Sequence, residues 1–200
     1  MQNVQEPLRV FISYSHKDKR MKDKLMTHIN SLIRQKYISL WFDNMILPGK
    51  TIDKEVLCAL QSSQIVLLLL SADYLASDYC YQIEMEEALT LRDKKKLEVI
   101  PILLRPVDLK GTPIDNIMTL PEDRKAITLF KNEDKAYKNV AEGIRRVAEI
   151  WYRKSIPNLT GNWAGQPAEN EDKNNSKQCN INYGIQINGD VHGGIFKIKN

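Results

Sequence analysis

Apolar positions along this chain follow two alternating rhythms. Residues 65–70 (IVLLLL) form an uninterrupted apolar run, the pattern of a strand buried on both faces of a parallel sheet. Residues 9–14 (RVFISY), 38–42 (ISLWF) and 97–104 (LEVIPILL) read as further strands. Pro101 in the last of these favours an edge or irregular position, because proline cannot donate to a ladder. Between the strands the period becomes helical. Over residues 18–35 Met21, Leu25, Ile29, Leu32 and Ile33 fall on one stripe. Further helices are expected from residue 51 or 52 to about 62, from about 78 to 94, and from about 134 to 153. The last of these carries Val140, Ile144, Val147 and Trp151 on one face. A short fifth strand is expected over residues 126–130, and Pro48-Gly49 marks a turn in the loop 43–50. Five strands alternating with helices predict an α/β fold, a parallel sheet covered on both faces and wound with right-handed crossovers.

Beyond this alternation the character changes. Residues 154–180 are polar and rich in Asn, Gly and Pro, the composition of a linker. Residues 181–200 are β-prone: Ile181, Tyr183, Ile185 and Ile187 share one face, and Asn188-Gly189-Asp190 is a turn signal. A lone hairpin is barely stable in water, so this tail has three readings. It docks on the globular part, remains disordered, or assembles with copies of itself through Asn and Gln ladders.

Composition narrows the function classes. A net charge of +4 with scattered lysines is too weak and diffuse to argue for nucleic acid. The first residues lack the basic and apolar regions of a signal peptide, and no apolar run approaches the roughly 20 residues that span a bilayer. Cys58, Cys80 and Cys179 are odd in number and far apart, which suits free thiols in a reducing compartment. A cytoplasmic protein with no membrane or nucleic-acid partner is therefore expected. His16, His28 and His192 show no metal-ligand spacing, so no metal is expected either.

Candidate chemistry concentrates in residues 71–87 (SADYLASDYCYQIEMEE), just past the most apolar strand. In open α/β sheets ligands bind in the crevice beyond the carboxyl ends of the strands, and Glu84 is the leading candidate for a reactive carboxylate there. Each residue also has a plainer reading. Glu84, Glu86 and Glu87 suit a solvated helix face, Phe11 and Tyr14 suit a core, and Cys80 suits a buried thiol better than a nucleophile.

Three segments in order carry a family resemblance. RVFISYSHKD (residues 9–18), WFDNMILPGKTIDKEV (41–56) and SADYLASDYCYQIEM (71–85) resemble the three signatures of TIR (Toll/interleukin-1 receptor) domains, closest to the bacterial branch, over residues 8–153. The resemblance implies a flavodoxin-like, five-stranded parallel sheet. It also implies cleavage of NAD⁺ to nicotinamide and ADP-ribose or a cyclic form, with NAD⁺ as substrate and no cofactor, in bacterial anti-phage defence or signalling. The alternative it implies is a non-catalytic adaptor that docks on other TIR domains; a nucleoside deoxyribosyltransferase-like enzyme is a more distant reading. By resemblance Glu84 is the acid. Phe11, Ser13, Ser15 and Asp43 would line the substrate site with Tyr79 as an aromatic wall, and Pro48 and Gly49 would contact a neighbouring molecule. The implied partners are further copies of the chain, or other TIR or tail-motif proteins. Gly184, Gln186, Asn188 and Gly189 are similar to short amyloid-signalling motifs. In many members the acid lies four residues after the aromatic. Here that place holds Ile83 and Glu84 stands five after Tyr79, which leaves Glu87 as the next candidate.

Overall fold

The computed structural model describes residues 6–42 and 52–155. Strands β1 (Leu8–Tyr14), β2 (Ile38–Trp41), β3 (Ile65–Leu70) and β4 (Glu98–Leu103) form one parallel sheet in the order β2-β1-β3-β4. Helices α1 (Lys19–Arg34), α2 (Ile52–Gln61), α3 (Ala72–Leu75), α4 (Glu86–Asp93) and α5 (Glu133–Ser155) cover it, and a π-helical segment (Tyr79–Met85) runs directly into α4.

Strand alternation builds two cores, one on each face. Val10, Ile12, Tyr14, Ile65, Leu67, Leu69 and Ile102 point to the face covered by α1 and α5. Phe11, Val66, Leu68, Leu70 and Leu103 point to the face covered by α2, α3, the π-helical segment and α4. Every residue of β3 is buried, as its unbroken apolar run requires of a strand with layers on both sides. The predicted α1 stripe is also real: Leu25, Ile29 and Leu32 are buried, with Met21 and Ile33 packed beside them.

The expected fifth strand does not form. Residues Ile127–Leu129 make a single 3₁₀ turn, and among the described residues the place beside β4 holds only a one-residue bridge between Leu120 and Ile102. Pro101 supplies the reason. Its carbonyl accepts from Leu120 N at 2.8 Å, so its nitrogen also faces the outer edge, where a further strand would meet no donor. Pro101 is thus at an edge, as its presence in the strand run suggests. No helix among the described residues is long and apolar enough to cross a membrane. Residues 154 and 155 of the expected linker belong to α5, and the rest of it and the β-prone tail lie outside the described residues, as do Asp43, Pro48 and Gly49.

Candidate functional site

β1 and β3 are adjacent, yet the chain leaves them in opposite directions: β1 leads to β2 on one side, β3 to β4 on the other. Such a switch point opens a crevice beyond the carboxyl ends of the strands. Ser13 and Tyr14 close β1 at this crevice and Ser71 follows β3. Two serines then shape the chain. Ser71 Oγ accepts from Tyr74 N at 3.1 Å and caps α3, and Ser77 Oγ accepts from Cys80 N at 3.3 Å where the next helical stretch begins.

That stretch is π-helical. An α-helix brings the residue four positions on beneath its start, whereas a π-turn closes one residue later. The five-residue step from Tyr79 to Glu84 therefore places Glu84 on the face that Ile83 would occupy in an α-helix. Glu84 is only 6% exposed. The hydroxyl of Ser13, itself buried, donates to Glu84 Oε2 in a short hydrogen bond, and Ser13 Oγ lies 2.8 Å from the Tyr74 hydroxyl. Glu87 is elsewhere: it is half-buried and accepts from Gln61 Nε2 on α2 at 2.9 Å.

Tyr79 is half-buried beside this carboxylate. Burial first, then the negative charges of Glu84 and Asp53, push its phenol well above the ordinary tyrosine range. Burial likewise pushes the Tyr74 phenol far up, with Glu84 adding to the effect. Both rings thus stay neutral beside the acid.

Phe11 lies on the same face of β1 as Ser13. It is buried and stacks on Trp41 with centroids 5.1 Å apart, so its ring packs into the core beneath Ser13. Ser15 is buried at the end of β1, where its carbonyl accepts from Asp18 N at 2.7 Å. His16 is exposed and meets the edge of the Tyr14 ring. Cys80 is a buried free thiol that donates to the Tyr14 carbonyl at 3.6 Å. Cys58 is half-buried on α2, and Cys179 lies outside the described residues.

A second polar centre lies beside the first. Asp18, buried after β1, accepts from Ser71 Oγ at 2.5 Å and from Arg105 Nε at 3.0 Å. Arg105, just past β4, also binds Asp73, which Lys17 reaches at 2.9 Å. This centre ties together the ends of β1, β3 and β4. Tyr74, Asp18 and Arg105 escaped the sequence reading as functional residues. The signal for the first two was present, since both sit inside quoted motifs; nothing marked Arg105.

Two shallow cavities, of about 590 and 700 Å³, lie away from Glu84. The first is lined by Lys36, Tyr37 and Tyr152 ahead of β2, the second by Leu97, Glu98 and Trp151 at the start of β4. Both sit by the amino ends of strands, not at the crevice.

Comparison with known proteins agrees with this geometry. The family model described as "TIR domain" matches residues 10–142. An uncharacterised protein of Sinorhizobium fredii, y4lF, is 39% identical over 160 residues, covering 80% of this chain and 50% of its own length. The chain therefore spans about half the length of that relative. Among solved structures, the TIR domains of the activated Roq1 resistosome, which recognises the pathogen effector XopQ, superpose with a TM-score of 0.51 at 20% identity over 68% of this chain and 99% of theirs. The TIR domain of the Toll-related receptor TRR-2 from Hydra magnipapillata gives 0.50 at 20% identity, over 68% of this chain and 97% of its own. The two structures support the fold, and the match to the family model covers most of the described sheet and helices. This chain belongs to the TIR domain family.

Proposed function

We propose that the chain is an NAD⁺ glycohydrolase of the bacterial branch, releasing nicotinamide and ADP-ribose or its cyclic form, and that it is switched on by self-association in anti-phage defence or signalling. The observation that carries this reading is Glu84: a buried carboxylate at the β1/β3 switch point, oriented by the Ser13 hydroxyl beside a neutral aromatic ring. The chemistry asks for little more. When the bond from the ribose C1′ to nicotinamide breaks, its electron pair neutralises the departing pyridinium, so no acid has to protonate the leaving group. The two-carboxylate arrangement of sugar hydrolases is therefore unnecessary. One carboxylate binds the ribose hydroxyls and opposes the positive charge that develops at C1′. Water adds to C1′ and loses a proton to give ADP-ribose; addition of an adenine nitrogen gives the cyclic form.

Dependence on assembly comes from the family resemblance, and the 6% exposure of Glu84 fits a switch, because a ribose reaches this carboxylate only when the residues around it move. The assembled resistosome among the similar structures supports it too, though that likeness reaches the fold alone. Nicotinamide release measured across protein concentration tests the reading. Turnover is expected to rise steeply with concentration, to fall at least about 100-fold in Glu84→Gln, as for loss of a transition-state electrostatic group, and to persist in Glu87→Ala. Deleting the chain beyond residue 155 is expected to flatten the concentration dependence. No turnover even in assembled protein would favour the adaptor.

A further inference from the structure

We infer that Tyr74 is a positioning residue for Glu84, acting through Ser13. This inference rests on the proposed role of Glu84, but its geometry stands by itself. A serine hydroxyl has one proton, and an ionised carboxylate can only accept. With Glu84 ionised, as its proposed role requires, the Ser13 proton goes to Oε2, and the contact of 2.8 Å between Ser13 Oγ and the Tyr74 hydroxyl then runs the other way, with tyrosine donating. The hydrogen bonds then form a directed chain from Tyr74 through Ser13 to Glu84. Each donor in such a chain polarises the next and strengthens the bond that reaches the carboxylate.

The tyrosine itself is fixed at both ends. Its backbone N–H is held by Ser71 Oγ, and Ser71 in turn donates to the Asp18 carboxylate that Arg105 clamps. Its ring is fully buried. The polar centre between β1, β3 and β4 thereby fixes the donor that directs Ser13. The Cys80 carbonyl, 3.3 Å from the Tyr74 hydroxyl, is the competing acceptor and the weaker by distance. Besides Ser13 on β1, the titratable groups that couple to this site are Tyr74 on α3, Tyr79 and Cys80 on the π-helical segment, and Asp53 on α2, which acts on Tyr79.

The test uses the full chain and two readouts. The first is the titration of the Glu84 side-chain carboxyl by ¹³C NMR, assigned by its loss in Glu84→Gln. In Tyr74→Phe the midpoint is expected to rise by about half a pH unit, because the ionised form loses a polarised donor. In Ser13→Ala it should rise further, and the double variant should match Ser13→Ala, since tyrosine acts only through serine. The second readout is nicotinamide release, where Tyr74→Phe should lower kcat about threefold with KM unchanged. An unmoved midpoint in a folded Tyr74→Phe protein, or additive shifts in the double variant, would overturn the inference. Wild-type protein with no turnover but with the expected shifts would sink the proposed reaction and leave the positioning role standing.

Discussion

Two buried charges at the ends of the sheet behave differently at the scale of single residues. Asp18 is paired on both oxygens, by Ser71 and by Arg105. Lys22 is buried with its ammonium 4.2 Å from the centre of the Phe42 ring and 2.8 Å from Asp23 on the surface. Breaking a buried pair strands a charge, whereas replacing a buried charge by an apolar chain of similar shape is often neutral. Asp18→Asn is expected to cost about 2 kcal/mol in chemical denaturation, below the roughly 3–5 of a fully buried pair because Arg105 keeps water and Asp73. Lys22→Met should leave the denaturation midpoint at or above that of wild type. A large loss there would mean that the ammonium, not its stem, holds the end of β2.

The element that matters most is the π-helical segment, since it converts a five-residue step into one turn. Removing one residue from it should restore an α-helix and keep the glutamate in place. Deletion of Gln82, which is exposed, is expected to retain nicotinamide release and the Ser13 contact. Exchanging neighbours, as Ile83→Glu with Glu84→Ile, should abolish activity, because adjacent helical positions point about 100° apart. Activity lost in the deletion and kept in the exchange would contradict this account of the register. The sheet edge is set at the same scale: among the described residues one proline, with its nitrogen facing outward, limits the contact beyond β4 to a single bridge.

At the scale of the whole molecule, exposed ion pairs tie distant elements together and make the fold sensitive to acid. Arg105 and then Lys17 hold the Asp73 carboxyl below its ordinary range; Arg146 and then Asn139 do so for Glu122, and Lys24 for Asp134. Because these groups bind protons more weakly when folded, the unfolded chain carries more protons as pH falls, and stability falls with it. Their contribution is fully present above about pH 4, the unfolded carboxylate range, and is lost below it. The combined variant Asp73→Asn, Glu122→Gln and Asp134→Asn should show a shallower loss of stability between about pH 4 and 2 than wild type. Equal slopes would mean that these pairs contribute nothing to the fold.

What the sequence determined by itself follows from local physics. Apolar runs and helical stripes sufficed for four strands and the main helices, because period and burial are read residue by residue. β3 begins and ends where its apolar run does. Motif spacing sufficed to place Ser13, Tyr79 and Glu84 near one crevice. What only the tertiary structure decided depends on direction and pairing across distance. Phe11 shares the sheet face of Ser13 but stacks on Trp41, because which ring a strand residue meets depends on the neighbouring strand and not on its own alternation. The fifth strand gave way to a turn because ladder formation depends on where a neighbour's donors point. That Glu84 reaches Ser13 while Glu87 meets Gln61 depends on a helix wound one residue wider than the usual period, which no apolar pattern records. Tyr74, 61 residues from the serine it touches, became part of the site only when α3 folded back over the end of β1.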